Sequence, residues 1–173
     1  MKMLANLQSL IVAIALTLGC ITSYADQIIH EGCGVEFWIP EEWHHEIADD
    51  ILIIEDSESQ LKLFFLTSGL QVLDQISDTL LEELSRVVTQ PEVTSTSRLG
   101  EHNELLYYSA QGFGLYEREI IDWELRFVAG PRKSLMIIAL GNLDSHRQTV
   151  EEIYQTIHLT KSDPEDQDQI ENQ

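Results

Sequence analysis

Leu135-Met136-Ile137-Ile138-Ala139-Leu140 is a run of six apolar residues with no polar break, and it constrains the fold more than any other stretch. Side chains alternate between the two faces of a strand, so such a run is apolar on both faces and must lie in a sheet covered on each side. Ile51-Leu52-Ile53-Ile54 is apolar on consecutive residues in the same way, where a half-exposed strand would alternate with polar ones. With residues 61–66 it reads as a hairpin about the polar turn 55–59. A clear period of two follows at Ile121, Trp123, Leu125 and Phe127, alternating with Asp122, Glu124 and Arg126.

Two segments carry the other periodicity. Leu73, Ile76, Leu80, Leu84 and Val87 fall three or four apart, which predicts an amphipathic helix over residues 70–88, with Ser68 and Gln71 as a capping box and Pro91 beyond its end. Val150, Ile153, Tyr154 and Ile157 mark a second helix over 145–157, with Ser145 and Gln148 as its capping box. Between them, residues 93–99 suit an exposed edge strand, 100–103 a turn and 105–110 a further strand. Gly112 and Gly114 punctuate the sheet, and residues 130–133 form another turn. Near the start, residues 35–39 form a strand stopped by Pro40, with a turn-like exit through Glu41, Glu42 and Trp43. Doubly apolar strands and two helices far apart in sequence predict an α+β fold. The arrangement that satisfies both is a three-layer α/β/α sandwich, a mostly antiparallel sheet with one long helix on each face.

The first 25 residues predict where the domain works. Lys2 precedes the apolar stretch 10–18, and Ser23-Tyr24-Ala25 offers small residues where a signal peptidase reads them. The apolar stretch is shorter than the roughly 20 residues of a membrane span. Residues 1–25 are therefore expected to be a secretory signal peptide, 26–160 a single domain and 161–173 a flexible acidic tail. The expected destination is periplasmic or extracellular, with no membrane span in the mature form. Leu18-Gly19-Cys20 also resembles the end of a bacterial lipoprotein signal, although Thr17 and Leu18 stand in the reverse of the usual order. Cleavage after Ala25 leaves Cys33 as a lone cysteine, expected to be buried as a small hydrophobe.

The chain has 30 acidic and 10 basic side chains, and the expected signal removes one lysine and no acid. Such a charge repels nucleic acid phosphates and anionic lipid, which excludes both as partners and leaves proteins or cations. Eleven of the acids fall between Asp26 and Leu61, a stretch without lysine or arginine.

The order of elements resembles the PsbP-like fold, shared by an extrinsic photosystem II subunit, Mog-type Ran-binding proteins and small bacterial envelope proteins. Phe37-x-x-Pro40-x-x-Trp43 opens the resemblance, followed by the hairpin 51–66, the helix 70–88, the strands 104–128 with Trp123, the strand 135–140 and the closing helix. The resemblance spans about residues 33–159 and implies a domain that binds or assists other proteins, without a shared catalytic centre. It assigns no site residue here.

His44-His45-Glu46, with Asp49 and Asp50 nearby, is the densest cluster of groups able to hold a metal. Adjacent strand residues point to opposite faces, so a solvated loop or strand edge is the plainer expectation. Residues 55–58 lack the glycine and closing glutamate of an EF-hand loop and read as a polar hairpin tip. Cys33 has His30, His44 and His45 in the same region but no cysteine-hydrolase signature, and no Gly-x-Ser-x-Gly occurs. Gly112-Phe113-Gly114 lacks the later glycine and lysine of a phosphate loop. Trp38, Trp43 and Trp123 fit a core as readily as a groove. No catalytic residue, cofactor-binding residue or metal ligand is assigned, and no cofactor is expected. The expected function is non-enzymatic: an exported protein that binds or assists another protein in the cell envelope. The alternative is a small secreted metal-dependent enzyme or metal-binding protein using His44, His45 and the nearby acids.

Overall fold

A computed structural model describes residues 24–58, 60–69, 78–129 and 133–160. In chain order the strands are β1 (Tyr24–His30), β2 (Val35–Pro40), β3 (His44–Ala48), β4 (Ile51–Glu55) and β5 (Leu61–Ser68), followed by helix α1 (Asp78–Leu84). Then come β6 (Thr89–His102), β7 (Leu105–Tyr116), β8 (Glu119–Ala129) and β9 (Ser134–Gly141), helix α2 (Leu143–Thr156) and the short β10 (His158–Leu159). The strands form a seven-stranded sheet in the order β3-β4-β5-β9-β8-β7-β6 and a three-stranded sheet in the order β1-β2-β10. Every strand pairing among the described residues is antiparallel.

The apolar run of residues 135–140 lies in β9, between β5 and β8. Its residues alternate between two cores: Leu135, Ile137 and Ala139 join one, and Met136, Ile138 and Leu140 the other. Strand β5 divides the same way, with Leu63 and Phe65 on the first side and Phe64 and Leu66 on the second. Val150, Ile153 and Ile157 at the closing helix, together with Val35, Phe37 and Ile39 of β2, fill the first core. Leu80 and Leu84 of α1 fill the second, against Trp123, Leu125 and Phe127. Burying each large apolar side chain stabilises by about 1.5–3 kcal/mol, so a doubly apolar strand is held only where both faces are covered.

The α+β class, the antiparallel sheet and the two helices are as expected, whereas the sandwich with a long helix on each face is met only in its coarser features. On one side α2 shares the cover with the three-stranded sheet. On the other, the described helix is seven residues long. The helix expected over 70–88 ends at Leu84, because Ser85 to Val88 turn the chain into β6; residues 70–77, with Gln71 of the expected capping box, lie outside the described residues. Pro91 therefore sits within β6, at the outer edge of the sheet, where a missing N–H costs no ladder bond. The second helix starts two residues earlier than expected, and its cap is Asn142, whose Oδ1 accepts from Ser145 N–H, instead of Ser145. The expected signal 1–25, apart from the first residues of β1, and the tail 161–173 lie outside the described residues, as do residues 130–132 of the expected turn.

Two further corrections concern glycine. Gly112 and Gly114 do not break the sheet; both lie inside β7. A Cβ on Gly112 would collide with the Glu92 carbonyl oxygen and the Trp123 ring, so glycine serves close strand approach there. The turn expected at 100–103 falls instead at Asn103-Glu104, both with positive φ (50° and 65°), the signature of a two-residue type I′ hairpin. Asp49-Asp50 and Glu117-Arg118 make the same turn with positive φ and without glycine. The left-handed conformation costs a residue with a Cβ about 1–2 kcal/mol, partly offset by the flexibility that glycine adds to the unfolded chain. Glu104→Gly and Arg118→Gly are each expected to stabilise the fold by roughly 0.5–1 kcal/mol. Urea unfolding monitored by circular dichroism checks this, and unchanged midpoints would contradict it.

Candidate binding groove and charged helix face

The two sheets leave an open groove of about 430 Å³ where the β1 end of one approaches the β3 end of the other. Ile29, His30 and Glu31 line one side, and His45, Ile47 and Asp50 the other. Its apolar part is unusually open: Ile29 is 57% exposed and Ile47 76%. Strand β1 pairs only with β2, and β3 only with β4, among the described strands. Each therefore presents an unpaired ladder edge, a template for one more strand.

The acids expected between 26 and 61 divide into two groups. Asp56, Glu36 and Glu55 are used internally. Asp56 is 2% exposed and accepts from the N–H groups of Glu58, Gln60 and Leu61, so the expected polar hairpin tip is organised about a buried carboxylate. Glu36 is 2.7 Å from His158 Nε2, and Glu55 is 3.8 Å from Lys62 Nζ. Asp26, Glu31, Glu41, Glu42, Glu46, Asp49, Asp50 and Glu58 are exposed. Glu31 and Asp50 belong to the groove, and no lysine or arginine lines it among the described residues.

His44 and His45 sit on β3, opposite Glu55 and Ile54 of β4, both exposed. Being adjacent on a strand they diverge; His45 Nδ1 lies 3.9 Å from Asp26 Oδ2. Among the described residues no group of three His, Cys, Asp or Glu side chains comes together as a metal site. His30 does enter the groove, with its Nδ1 buried and, among the described residues, unpartnered; burial pushes its pKa below the usual value, which favours the neutral imidazole. Cys33 is buried, its Sγ–H directed to the Ser134 carbonyl at 3.3 Å, and burial raises its pKa away from the reactive thiolate. Trp43 and Trp123 are core residues, while Trp38 stacks on His158 at 5.1 Å.

A second polar region was hidden in the sequence. Glu124 and Arg126 stand on the polar side of the alternation in β8, and both lie beneath α2. Arg126 Nη2 stands 2.5 Å from Glu151 and 3.7 Å from Glu124, with its guanidinium 4.5 Å from the Tyr154 ring centre. Arg147 closes the network at 3.3 Å from Glu124 and 3.3 Å from Asp144. No single-strand pattern could reveal this, because the partners come from a helix about twenty residues downstream.

The phenols beside this network, Tyr107 and Tyr154, are buried, and burial raises both pKa values, that of Tyr107 to about 12. In the unfolded chain a tyrosine titrates near 10, so the folded state holds its protons longer. The resulting stability is full below about pH 10 and is lost as pH rises through about 12. Unfolding midpoints should fall steeply between those values, and Tyr107→Phe should flatten part of the fall. A pH-independent midpoint across that range would contradict the assignment.

No protein-family model matches the chain, and no curated protein matches it. Solved structures do. The cyanobacterial PsbP (CyanoP) of Synechocystis sp. PCC 6803 aligns over 82% of this chain and 95% of its own, with 14% identity and a TM-score of 0.53. A protein of Bacteroides thetaiotaomicron VPI-5482 aligns over 80% of this chain and 49% of its own, with 12% identity and a TM-score of 0.51. LpqN of Mycobacterium tuberculosis, described as involved in cell envelope biogenesis, aligns over 79% of this chain and 90% of its own, at 10% identity and a TM-score of 0.45. The PsbP-like resemblance is thus shown at the level of fold; identities this low carry nothing about activity. Among the described residues no helix is long and apolar enough to cross a membrane.

Proposed function

We propose that the chain is an exported, non-enzymatic protein that binds or assists another protein in the cell envelope. It does so by taking an extended, basic segment of that partner into the groove between β1 and β3. The observation that carries this reading is the meeting of two unpaired strand edges across an apolar groove with acids and no lysine or arginine on its described walls. An added strand draws affinity from main-chain hydrogen bonds and specificity from alternate side chains. Here the exposed Ile29 and Ile47 would take apolar residues, and Glu31 and Asp50 would take lysine or arginine. Support for a non-enzymatic role comes from the placement of the reactive groups: the Cys33 thiol is buried, and His44 and His45 diverge on an edge strand. Support for export is the charged start, apolar stretch and small-x-small exit of residues 1–25. The proposal takes residues 26–160 as one three-layer domain, a reading favoured by the two cores on opposite faces of the large sheet.

A ten-residue peptide alternating lysine and valine is the probe. Its addition should shift the backbone amide resonances of Ile29 and Ile47 and leave those of β6 in place. Affinity should fall as salt rises, since exposed charges are screened within about 8 Å at physiological ionic strength. The Glu31→Gln, Asp50→Asn double variant should bind more weakly with an unchanged melting temperature. Binding elsewhere, or binding indifferent to salt and to these variants, would overturn the groove assignment.

A further inference from the structure

At the end of the large sheet away from β3, strands β6, β7 and β8 run on beyond the sheet's centre. Strand β9 pairs with β8 only as far as Trp123, so Glu119 to Asp122 pair with β7 alone. In this extension Glu92, Phe113 and Asp122 stand opposite one another across the three strands, and Leu115 opposite Ile120 makes the next row. Opposed residues share a face, as do residues two apart on one strand. Both rows therefore lie on the same face as Gln111 and Glu124, the face on which α2 packs. Phe113, Leu115 and Ile120 belong to neither core, and Ile120 is 80% exposed and Phe113 37%. Where this patch meets the first turn of α2 there is an open cavity of about 320 Å³, with Gln111, Asp122, Glu124, Asp144 and Arg147 among its walls. A single exposed apolar residue is ordinary, but a cluster of them on one sheet face with a polar rim marks an interaction surface.

We propose that this face docks an amphipathic helix of another protein, with an apolar stripe bordered by lysine or arginine. The form of the occupant follows from the backbone. Strand β7 is paired to β6 and β8 along this stretch, so the face offers side chains and no free ladder groups. An occupant must satisfy its own main chain, which a helix does and an extended segment does not. Its apolar stripe would cover Phe113, Leu115 and Ile120, in the same layer as α2. The charge of its borders follows from the rim. Glu92 and Asp122, both exposed, flank Phe113 on its two sides. Arg147, on the cavity wall, is already bonded to Glu124 and Asp144 at 3.3 Å each, so it does not answer Asp122. The turn beyond adds Glu117, Arg118 and Glu119, a further negative charge in sum. A two-fold pairing of two copies of this chain would set these acids against themselves, at a net charge of −20 on each copy. A basic partner is therefore favoured over self-association.

The probe is a peptide of about 18 residues, long enough to be helical, with leucine along one face and lysine on both flanks. Added to the full chain, it should shift the backbone amide resonances of Phe113 and Ile120. Ile120→Ser should weaken binding at least tenfold with an unchanged melting temperature, because the side chain it removes is exposed. Glu92→Gln with Asp122→Asn keeps the apolar patch and should lower affinity and flatten its dependence on salt. The same peptide with glutamate on its flanks should not bind. Equal binding of the glutamate peptide would overturn the basic assignment. No binding of the lysine peptide, or shifts confined to β1 and β3, would overturn the site. Sedimentation of the chain alone supplies a further check: a dimer that Ile120→Ser dissolves would assign the face to a second copy and overturn the helix partner. The β1–β3 groove answers to the extended lysine–valine peptide and to different variants, so either surface can fail without the other.

Discussion

Replacing Arg126 by alanine is expected to lower the unfolding free energy by about 3 kcal/mol, the low end of what breaking a buried ion pair costs. The loss has one main cause. Glu124 is 7% exposed, and without Arg126 it keeps Arg147 at 3.3 Å, itself half in solvent, and the Gln111 amide. A carboxylate that cannot reach water and loses its best-buried cation is left under-compensated. Glu151, on the outer side of α2, turns to solvent at little cost. The Tyr154 ring also loses the guanidinium lying 4.5 Å from its centre. Pairing Arg126→Met with Glu124→Leu removes both buried charges and should recover most of the loss, because apolar groups of similar volume replace a buried pair at nearly no cost. Urea denaturation of the two single variants and the double variant gives the coupling directly. A single-variant loss below about 1 kcal/mol would mean that Glu124 is better hydrated than its position implies.

That network also marks the limit of what periodicity can reveal. The alternation Trp123, Leu125, Phe127 correctly gives one buried face of β8, and the apolar runs Leu135–Leu140 of β9 and Ile51–Ile54 of β4 give a sheet with a core on both sides, although Ile51 and Ile53 of β4 are only partly buried. These patterns are legible because burial of apolar side chains is local to the strand that carries them. The other face of β8 was not legible, since Glu124 is buried and Arg126 largely covered only where charges arrive on α2 to pair with them. Strand β3 was obscured for a related reason. His44, His45 and Glu46 have no apolar period, and an edge strand fully exposed along its length needs none. The groove was further out of reach. It joins residues 27–32 to residues 45–50 across two different sheets, and a single exposed isoleucine such as Ile29 or Ile47 is unexceptional until the two flank the same groove. Glycine misled in the opposite direction. Gly112 and Gly114 read as punctuation of the sheet, and they are sites of close approach inside a long strand, while turns fall at Asn103-Glu104 and Glu117-Arg118.

Asp56→Ala is expected to cost about 3 kcal/mol or more, although the residue stands in a segment that reads as a solvated hairpin tip. Its Oδ1 accepts from the N–H groups of Gln60 at 2.7 Å and Leu61 at 2.6 Å, and its Oδ2 accepts from Glu58 at 3.1 Å. Hydrogen bonds to a charged group contribute roughly 1.5–3 kcal/mol each, and they do not add in full when they share one acceptor. The Leu61 bond matters most, because Leu61 is fully buried at the start of β5 and its N–H has nowhere else to turn. The effect also spreads. The Gln60 carbonyl held by this turn accepts from Asn142 N–H at 2.8 Å, so the Asp56 loop supports the residue that caps α2. Asp56→Asn separates charge from geometry. Its carbonyl oxygen can still accept from Gln60 and Leu61, but its amide nitrogen meets the Glu58 N–H as a second donor. The asparagine variant should therefore lose about half as much as the alanine variant. Thermal and urea unfolding of the three proteins decide the matter. Hydrogen exchange adds a local readout: in Asp56→Ala the amides of Leu61 and Ser145 should lose protection together, as α2 loosens at its start. Equal stability of all three proteins, or loosening confined to the loop, would show that the carboxylate is not the anchor of this turn.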